Sequence, residues 1–364
     1  MRLTPLDFER LPGWRPTELI AVWPAFLASC RAIATALPSL RQGRPPSPEL
    51  AALGSHALDI GEDPESISRF FLENFQPFEV LAESGAGEGF VTGYYEPELE
   101  GSDVPGAEFS APILSRPDDL IDMRETNVEG WDRGLQGARQ TLDGRFEPYP
   151  SRAEIERGAL GDRVRPVVWL RDHVEVFFAQ VQGSARVRMR DGSCKRLVYA
   201  GRNGRPYTSI GRILIGQGEI PPEQMSLSSC KAWLRANGTE IGERGRAVMQ
   251  CNESYVFFAL ESDPDTEIGP TGAQGVPLSA LRSIAVDRDV WPYGTPVWIG
   301  ADLTTAGLGP GPTGRLMIAQ DTGSAIVGPA RGDLFIGSGA RAGEIAGLVR
   351  HPARFVVFLP VGFV

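Results

Sequence analysis

Two aspartates near the C-terminal end of the chain stand where apolar segments begin or finish. In the segment 320–333, Asp321 follows the apolar run 316–319, and Asp333 comes after a Gly-Pro pair and precedes another apolar run. A carboxylate at the mouth of an apolar strand loses hydration, which raises its pKa unless a donor or a cation compensates. A carboxyl group that keeps its proton near neutral pH can act as a general acid, for example toward a glycosidic oxygen. Aspartates that cap turns at strand ends give the same pattern, so composition leaves both interpretations open.

A second candidate group lies in the segment QVQGSA. Gln180 and Gln182 would share one face of a strand, and Gly183 would let the backbone approach a ligand closely. Paired amides bind hydroxyl and N-acetyl groups, and aromatic rings such as those of Tyr94 and Tyr207 pack on the apolar face of a sugar. The pattern therefore predicts recognition of a neutral saccharide, although ordinary half-buried strand residues would look alike.

Other polar residues support less specific predictions. Asn252 stands at the start of a predicted strand, where it could bind substrate, although capping a turn is the interpretation that we favour. Thr322 and Gly323 follow Asp321 and could bring backbone N–H groups close to a ligand. Ser209 and Ser324 have no histidine nearby in the sequence, which leaves a serine-hydrolase triad unsupported.

Size and charge limit the classes of function. The chain has 364 residues, which predicts two domains, and its net charge of -10 opposes binding to nucleic acid or anionic lipid. The four cysteines include no CxxC pair, and the three histidines are far apart in the sequence. We therefore predict no metal site.

The order of predicted elements indicates an α+β fold that is mainly β. Residues 1–83 have helical periodicity, including a helix that begins with an Asp-Pro cap and buries Ile67, Phe70 and Phe71. Short strands separated by turns dominate after residue 88, with a few helices between them. Many short strands bury their edges best by closing, so we predict at least one β-barrel.

One N-terminal segment resembles a lipoprotein cleavage box. The letters LASC end at Cys30, but Glu18, Trp23 and Pro24 interrupt the supposed signal core. The apolar residues over 16–37 fall at helical spacing, which predicts an amphipathic helix with Cys30 on its apolar face. The chain as given is therefore expected to carry no export signal.

Taken together, these segments resemble the lytic murein transglycosylase A family. The motifs occur in the family's order and extend over residues 90–340. They are TGYYEP (92–97), QVQGSA (180–185), NGRPYTSIGR (203–212), NESYVFF (252–258), RSIAVDRDVWPYGTPVWI (282–299) and QDTGSAIVGPARGDLFIGSG (320–339).

The resemblance implies a double-psi β-barrel domain with N-terminal helices, into which a second, β-barrel-like domain is inserted. We expect residues 1–97 and 251–364 to form the first domain, and residues 98–250 to form the other wall of a glycan cleft. The implied reaction cleaves the β-1,4 bond between N-acetylmuramic acid and N-acetylglucosamine without water and without a cofactor. The product carries a 1,6-anhydro ring on the muramyl residue.

Residue by residue, Asp333 matches the family's catalytic acid/base and Asp321 its partner aspartate. The expected substrate-binding residues are Tyr94, Gln180, Gln182, Gly183, Ser184, Tyr207, Asn252, Thr322 and Gly323. The expected partners are peptidoglycan strands and, as further candidates, other cell-wall enzymes, with the chain acting as a monomer in the periplasm or at the outer membrane. Two alternatives remain open at this point: a glycoside hydrolase that uses both aspartates, and a non-catalytic glycan-binding module.

Overall fold

The computed structural model of the protein describes residues 1–81, 89–124, 126, 128–132, 134–262, 264–265, 268–309 and 311–362. Two compact units divide the chain. Unit 1 combines Met1–Glu96 with Thr266–Val364, and unit 2 is the continuous segment Pro97–Asp265. Unit 1 is therefore built from two separate stretches of sequence.

The described chain is a mixed α+β structure in which sheet predominates, as the sequence predicts. Its first half contains β1 (Arg2–Pro5), α1 (Thr17–Ala34), α2 (Pro48–Ala57), α3 (Pro64–Asn74), β2 (Phe75–Leu81), β3 (Gly89–Glu96), β4 (Glu98–Ser102), β5 (Ala111–Leu114), β6 (Ile121–Asp122), β7 (Gly137–Gln140), β8 (Phe146–Pro148), α4 (Arg152–Glu156), β9 (Pro166–Leu170) and α5 (His173–Gln182). Its second half contains β10 (Ala185–Met189), β11 (Cys194–Arg202), α6 (Ile210–Gly216), α7 (Leu227–Ala236), α8 (Arg244–Gln250), β12 (Val256–Ser262), β13 (Ser283–Val286), β14 (Pro296–Asp302), β15 (Pro312–Asp321), β16 (Arg331–Ser338), α9 (Ala340–Leu348) and β17 (Arg350–Pro360). Short 3-10 turns occur at Phe8–Arg10, Gly161–Arg163, Pro222–Gln224 and Thr304–Ala306.

The N-terminal helices of unit 1 begin where the sequence predicts. The side chain of Asp63 accepts a hydrogen bond from the Ser66 N–H, and Pro64 occupies the first turn of α3. Such a cap satisfies a backbone donor that the helix itself leaves free. Ile67, Phe70 and Phe71 are buried in the core of unit 1, so the predicted apolar face of α3 is confirmed.

Helix α1 is a core helix of unit 1. It is the one helix in the described residues that is long and apolar enough to cross a membrane by length and composition, yet over half of it is buried inside the unit. Cys30 is 1% exposed and packs in the same cluster as Trp23 and Phe26. The prediction that Cys30 belongs to the apolar face of a helix is therefore confirmed.

Six strands of unit 1 close into a ring. Their order is β17, β14, β15, β13, β16 and β3, and β3 pairs again with β17. One edge of β17 pairs with β14, while its other edge pairs with β3 near its beginning and with β2 near its end. The pairs β13–β15 and β16–β3 are parallel, and the other pairs of the ring are antiparallel. The ring leaves no free edge among its own strands, and β1 and β2 continue the sheet to one side.

Unit 2 contains a six-stranded sheet in the order β12, β11, β10, β4, β9 and β5, and a three-stranded sheet of β6, β7 and β8. The pairings described here leave the larger sheet open, whereas we expected a barrel-like domain. Helix α5 contacts both edge strands, β5 and β12, which also contact each other, and its Val176 and Ala179 pack in one apolar cluster with the sheet. The second boundary also differs from expectation, because β12 pairs with β11 and so keeps residues 251–265 with unit 2.

The segment QVQGSA is not a strand, and our prediction for it was wrong. Gln180 and Gln182 lie in the last turn of α5, which the Asp172 side chain caps by accepting from the Glu175 N–H. Gly183 ends the helix with φ +83°, a left-handed conformation that glycine adopts without steric cost. On a helix these two glutamines point in different directions, so they cannot form the predicted pair on one face.

Candidate active site

A row of four residues crosses four neighbouring strands of the ring in unit 1. Thr92 of β3 pairs with Asp333 of β16, and Asp333 pairs with Ala285 of β13. On its other side, Ala285 pairs with Asp321 of β15. Residues that pair across a sheet point to the same face, so both aspartates and the Thr92 hydroxyl share one face with only the small side chain of Ala285 between the two carboxylates.

A β-bulge puts Asp321 into this row. Along β13 and β15, Ile284 pairs with Ala319, but the next residue, Ala285, pairs with Asp321, so that Gln320 is skipped. Without the bulge Gln320 would occupy the position, and the carboxylate would point to the opposite face.

Buried hydrogen bonds hold the skipped residue. Gln320 is fully buried, and its amide nitrogen donates to the Ala25 carbonyl at 2.8 Å and to the Ser29 hydroxyl at 2.9 Å, both on α1. Its amide oxygen accepts from the Ser283 hydroxyl at 2.5 Å. Helix α1 therefore fixes the bulge, and through the bulge the direction of Asp321.

Asp321 is surrounded by hydrogen-bond donors. Its Oδ2 accepts from the Tyr94 hydroxyl at 2.8 Å, and its Oδ1 accepts from the N–H groups of Ala273 at 3.0 Å and Thr322 at 2.8 Å. Burial raises the pKa of Asp321, while these donors and the Arg41 guanidinium oppose the rise. Both carboxylate oxygens are thus engaged, and the half-buried side chain is held in one orientation.

Asp333 has a different environment. Its Oδ1 accepts from the Thr92 hydroxyl at 2.5 Å, and among the described residues no donor reaches its Oδ2. Burial raises the pKa of Asp333 to about 6, with the Thr92 hydrogen bond and the Arg331 charge opposing the rise and the Asp321 charge adding to it. With this pKa, a fraction of the Asp333 carboxyl groups keep their proton near neutral pH. The oxygen that no described donor reaches, Oδ2, can then transfer the proton to a substrate.

Tyr94 contacts one of the two carboxylates and is influenced by the charge of both. Its ring packs against Phe335 with centroids 5.4 Å apart, and its hydroxyl reaches Asp321. Burial and the charges of Asp321 and Asp333 raise the pKa of Tyr94 well above its usual value, so the phenol stays protonated and acts as a donor.

The loop between the two aspartates is anchored at its far side. The N–H of Gly328 donates to the Asp287 carboxylate at 2.7 Å, and the Trp291 indole donates to the Pro329 carbonyl at 2.7 Å. Val327, between these anchors and the buried Ile326, is 72% exposed. The end of the turn that leads toward Asp333 is therefore fixed.

The structure brings five of the predicted residues together in unit 1. These are Asp333, Asp321, Tyr94, Thr322 and Gly323. Thr322 donates from its backbone N–H to Asp321, while its hydroxyl donates to the Val286 carbonyl at 2.9 Å and is unavailable to a ligand. Gly323 accepts from the Ile326 N–H at 3.0 Å and so starts the anchored loop.

The remaining predicted residues lie in unit 2, where some are half-buried and others are buried. Gln180 is 5% exposed and donates to the Val256 carbonyl at 3.0 Å, so its amide nitrogen forms a hydrogen bond inside unit 2. Ser184 is also buried, whereas Gln182 and Gly183 are half-buried. We therefore keep Gln182 and Gly183 as candidate ligands and withdraw Gln180 and Ser184.

Asn252 has the structural role that we favoured. It is 2% exposed, and its side-chain oxygen accepts from the N–H groups of Thr208 at 3.1 Å and Ser254 at 3.3 Å. The contact to Thr208 fixes the segment that carries the half-buried Tyr207. Asn252 thus holds the backbone of this segment in place.

Sequence reasoning missed two residues beside the acid, Thr92 and Arg331. Thr92 opens the TGYYEP motif two positions before Tyr94, and Arg331 stands two positions before Asp333. The period of two along a strand was the available signal, because residues two apart share a face. Among the described residues, no group of three or more His, Cys, Asp or Glu side chains could hold a metal ion.

Comparison with known proteins finds matches over most of the chain. Residues 90–259 match the family profile described as the MltA specific insert domain, and residues 282–359 match the profile described as the 3D domain. The membrane-bound lytic murein transglycosylase A of Vibrio cholerae is 31% identical over 298 residues, which are 80% of this chain and 70% of that protein.

Solved structures agree over almost the full length. A membrane-bound lytic murein transglycosylase from Agrobacterium tumefaciens superposes with a TM-score of 0.86 at 37% identity, covering 99% of this chain and 98% of that one. The E. coli MltA with bound chitohexaose superposes with a TM-score of 0.70 at 26% identity, covering 99% of this chain and 95% of that one. With this similarity in sequence and in structure, the chain belongs to the lytic murein transglycosylase A family.

Proposed function

We propose that the protein is a peptidoglycan lytic transglycosylase. It cleaves the β-1,4 bond between N-acetylmuramic acid and N-acetylglucosamine, and it leaves a 1,6-anhydro ring on the muramyl product. The observation that carries the proposal is the environment of Asp333, a carboxyl group with a pKa of about 6 and one oxygen free of described donors. The family membership of the chain and the bound chitohexaose in the E. coli relative support a glycan as the substrate.

In the proposed mechanism Asp333 acts twice. Protonated Asp333 gives its proton to the glycosidic oxygen, the bond from that oxygen to the muramyl C1 breaks, and positive charge develops at C1. The resulting carboxylate then takes the proton of the C6 hydroxyl of the same sugar, and the C6 oxygen forms a bond to C1. Since this attack is intramolecular, it has a large effective molarity and can outcompete water.

Asp321 orients the site and does not transfer the proton in this proposal. Each of its oxygens already accepts a hydrogen bond, which favours the ionised form and leaves little room to activate a water molecule. Its negative charge raises the pKa of Asp333 and faces the region where positive charge develops. The single free carboxyl group is what a transglycosylase requires.

A glycoside hydrolase remains the second candidate, because one geometric feature favours it. Asp321 and Asp333 flank Ala285, so their Cα atoms lie two strand spacings apart, about 10 Å. Inverting hydrolases place their two carboxyl groups roughly 6.5–9.5 Å apart to hold a water molecule between them. The saturated hydrogen bonding of Asp321 is the observation against this alternative.

Recognition of the glycan is proposed to involve Tyr94 and the backbone around Gly323 in unit 1, and Gln182, Gly183 and Tyr207 in unit 2. Their half-buried side chains and backbone offer the amide and aromatic groups that sugars bind.

We also propose that unit 1 is a double-psi β-barrel and that unit 2 is the inserted domain of the family. The closed six-stranded ring, with its parallel pairs β13–β15 and β16–β3, supports the first assignment. The profile match over residues 90–259 supports the second. Action in the cell envelope follows from the substrate, and it is supported by relatives that are called membrane-bound.

The fate of water decides between the two enzyme classes. Purified glycan strands are digested in water enriched in ¹⁸O, and the new ends are examined by mass spectrometry, with the Asp333→Asn variant as the inactive control. A transglycosylase leaves anhydro-muramyl ends that lack one water and carry no label. Reducing ends that carry ¹⁸O as the main product would establish the hydrolase instead, and undigested strands that still bind would indicate a non-catalytic module.

A further inference from the structure

Arg331 contacts the proton-transfer site without touching Asp333. It lies two positions before Asp333 on β16, so the two side chains share a face. Its Nη2 donates to the Thr92 hydroxyl oxygen at 2.7 Å, and its Nη1 donates to the Gly332 carbonyl. Its guanidinium also lies over the Phe90 ring, 5.7 Å from the ring centroid. Within the described residues, no ion pair joins Arg331 to Asp333, so the cation reaches the carboxyl group through one hydroxyl.

This arrangement fixes the direction of the hydrogen bond between Thr92 and Asp333. A threonine hydroxyl has one proton to donate, and a guanidinium can only donate. Because the Thr92 oxygen accepts from Arg331, its own proton is directed to Asp333 Oδ1 at 2.5 Å. Oδ1 is then an acceptor, a role that suits the carbonyl oxygen of the neutral acid and favours placing the proton on Oδ2.

We propose that Arg331 is a positioning residue, which acts through Thr92 to keep the transferable proton of Asp333 on Oδ2. Without Arg331, the Thr92 hydroxyl could turn and accept a hydrogen bond from a proton on Oδ1. The acid proton would then point at Thr92 and away from any substrate. The inference rests on the proposed role of Asp333 as the acid and adds an atom-level direction to it.

The indirect contact through Thr92 also limits how far the positive charge of Arg331 lowers the pKa of Asp333. The charged and titratable groups that face Asp333 are Arg331 on its own strand, Asp321 on β15 and Tyr94 on β3, while β13 contributes only Ala285. A direct ion pair with arginine typically lowers the pKa of an aspartate by one to three units, which would leave little acid at neutral pH. One hydroxyl between the cation and the carboxyl group keeps the orientation and weakens that effect.

A double-mutant cycle tests the route through Thr92. The limiting rate at low pH, where Asp333 is fully protonated, is measured for Thr92→Val, Arg331→Met and the double variant. Each single change is expected to lower this rate about tenfold, the scale set by one hydrogen bond, and the double variant should be no more than about twofold slower than either single variant. Losses that multiply to about a hundredfold would overturn the proposal, because Arg331 would then act independently of Thr92.

Two further measurements keep the test decisive if one variant folds poorly. Thr92→Ser restores the hydroxyl and should recover most of the rate that Thr92→Val loses, whereas equal rates in the two variants would contradict a role for the hydroxyl. The titration of Asp333 can be followed without any glycan by ¹³C NMR of labelled aspartate. Arg331→Met should raise the midpoint of that titration, and the exposed Arg341→Met should leave it unchanged.

An unchanged midpoint in Arg331→Met would overturn the proposal even if the protein proves to be a transglycosylase. Conversely, a raised midpoint in a protein that leaves ¹⁸O-labelled reducing ends would refute the proposed function and leave the coupling of Arg331 to the acid intact.

Discussion

Replacing Asp333 by asparagine should stabilise the protein while abolishing cleavage. The asparagine side chain has nearly the same shape, and its oxygen can still accept from the Thr92 hydroxyl. It cannot ionise, however, so it avoids the cost of holding a negative charge in a partly desolvated site. The same property makes Asp333 useful as an acid and makes its ionised form unfavourable in the folded protein.

The pKa of Asp333 gives the sign and the size of the effect. Folding raises this pKa from 3.8 to about 6, so the folded state binds a proton more tightly than the unfolded state. The stability of the wild type should therefore fall as the pH rises through this interval and stay level above it. Two units correspond to about 3 kcal/mol at most, since local relaxation reduces the cost of the charge. Asp333→Asn should recover this free energy above pH 7 and nothing below about pH 4.

Thermal unfolding at several pH values between 4 and 8 measures the difference. A gain of about 3 kcal/mol would raise the melting temperature of a unit of this size by about 6–12 °C at pH 8. Asp59→Asn is a suitable control, since Asp59 is exposed in the same unit. Equal melting temperatures of wild type and Asp333→Asn at pH 8, or a gain that does not depend on pH, would refute the burial argument. Retained cleavage by the folded variant would refute its role as the acid.

Four other substitutions have defined outcomes. Asp321→Asn removes a charge about 10 Å from Asp333, worth about 1.7 kcal/mol at an effective dielectric constant of 20. The alkaline limb of the pH–rate profile should therefore move to lower pH by about one unit at most, because Asp321 is the weakest influence on the pKa of Asp333. An alkaline limb that does not move would contradict the coupling between the two aspartates. Gly204→Ala should destabilise unit 2 by more than about 3 kcal/mol, because φ is +70° and a Cβ would lie 1.8 Å from the Gly137 nitrogen. Gly158→Ala, at φ +90° with nothing near the new methyl group, should lower the free energy of unfolding by only about 1–2 kcal/mol in denaturant. Equal losses of stability in the two glycine variants would exclude a steric clash at Gly204. Gln182→Ala in the Asp333→Asn background should weaken glycan binding by about 1 kcal/mol in calorimetry, and binding as tight as that of the exposed control Gln217→Ala would remove Gln182 from the site.

The sequence predicts the two acidic positions well but not how they meet. Apolar runs ending at or beginning beside Asp321 and Asp333 indicate strand ends, and the strands are confirmed. The row that joins them depends on the register of β13 between two other strands and on a bulge at Gln320. That bulge is fixed by helix α1, almost 300 positions away in the sequence. A local pattern carries no information about such a long-range contact.

The error at Gln180 and Gln182 has a local cause. Alternating apolar and polar residues with several valines favour a strand, yet Asp172 and Gly183 are the cap and the stop of a helix. These end signals outweigh the alternation, since the helix satisfies its termini and buries Val176 and Ala179 against the sheet. Asn203 makes contacts that the local sequence does not predict. Its buried side-chain amide donates to the Pro150 and Glu253 carbonyls, and no local motif indicates either hydrogen bond.

The closing of the ring by β17 sets the order in which this enzyme can become active during synthesis. Thr92 and Tyr94 leave the ribosome early, the two aspartates follow more than two hundred residues later, and β17, which joins β3 to β14, comes last. A nascent chain that lacks β17 has unit 2 available to fold but an open sheet in unit 1. Such non-local pairing is slow, and the ring cannot close until β17 is present. In the growing chain the strands that carry Thr92, Asp333 and Asp321 therefore belong to an open sheet, and wall-cleaving activity should arise only after the whole ring has been synthesised.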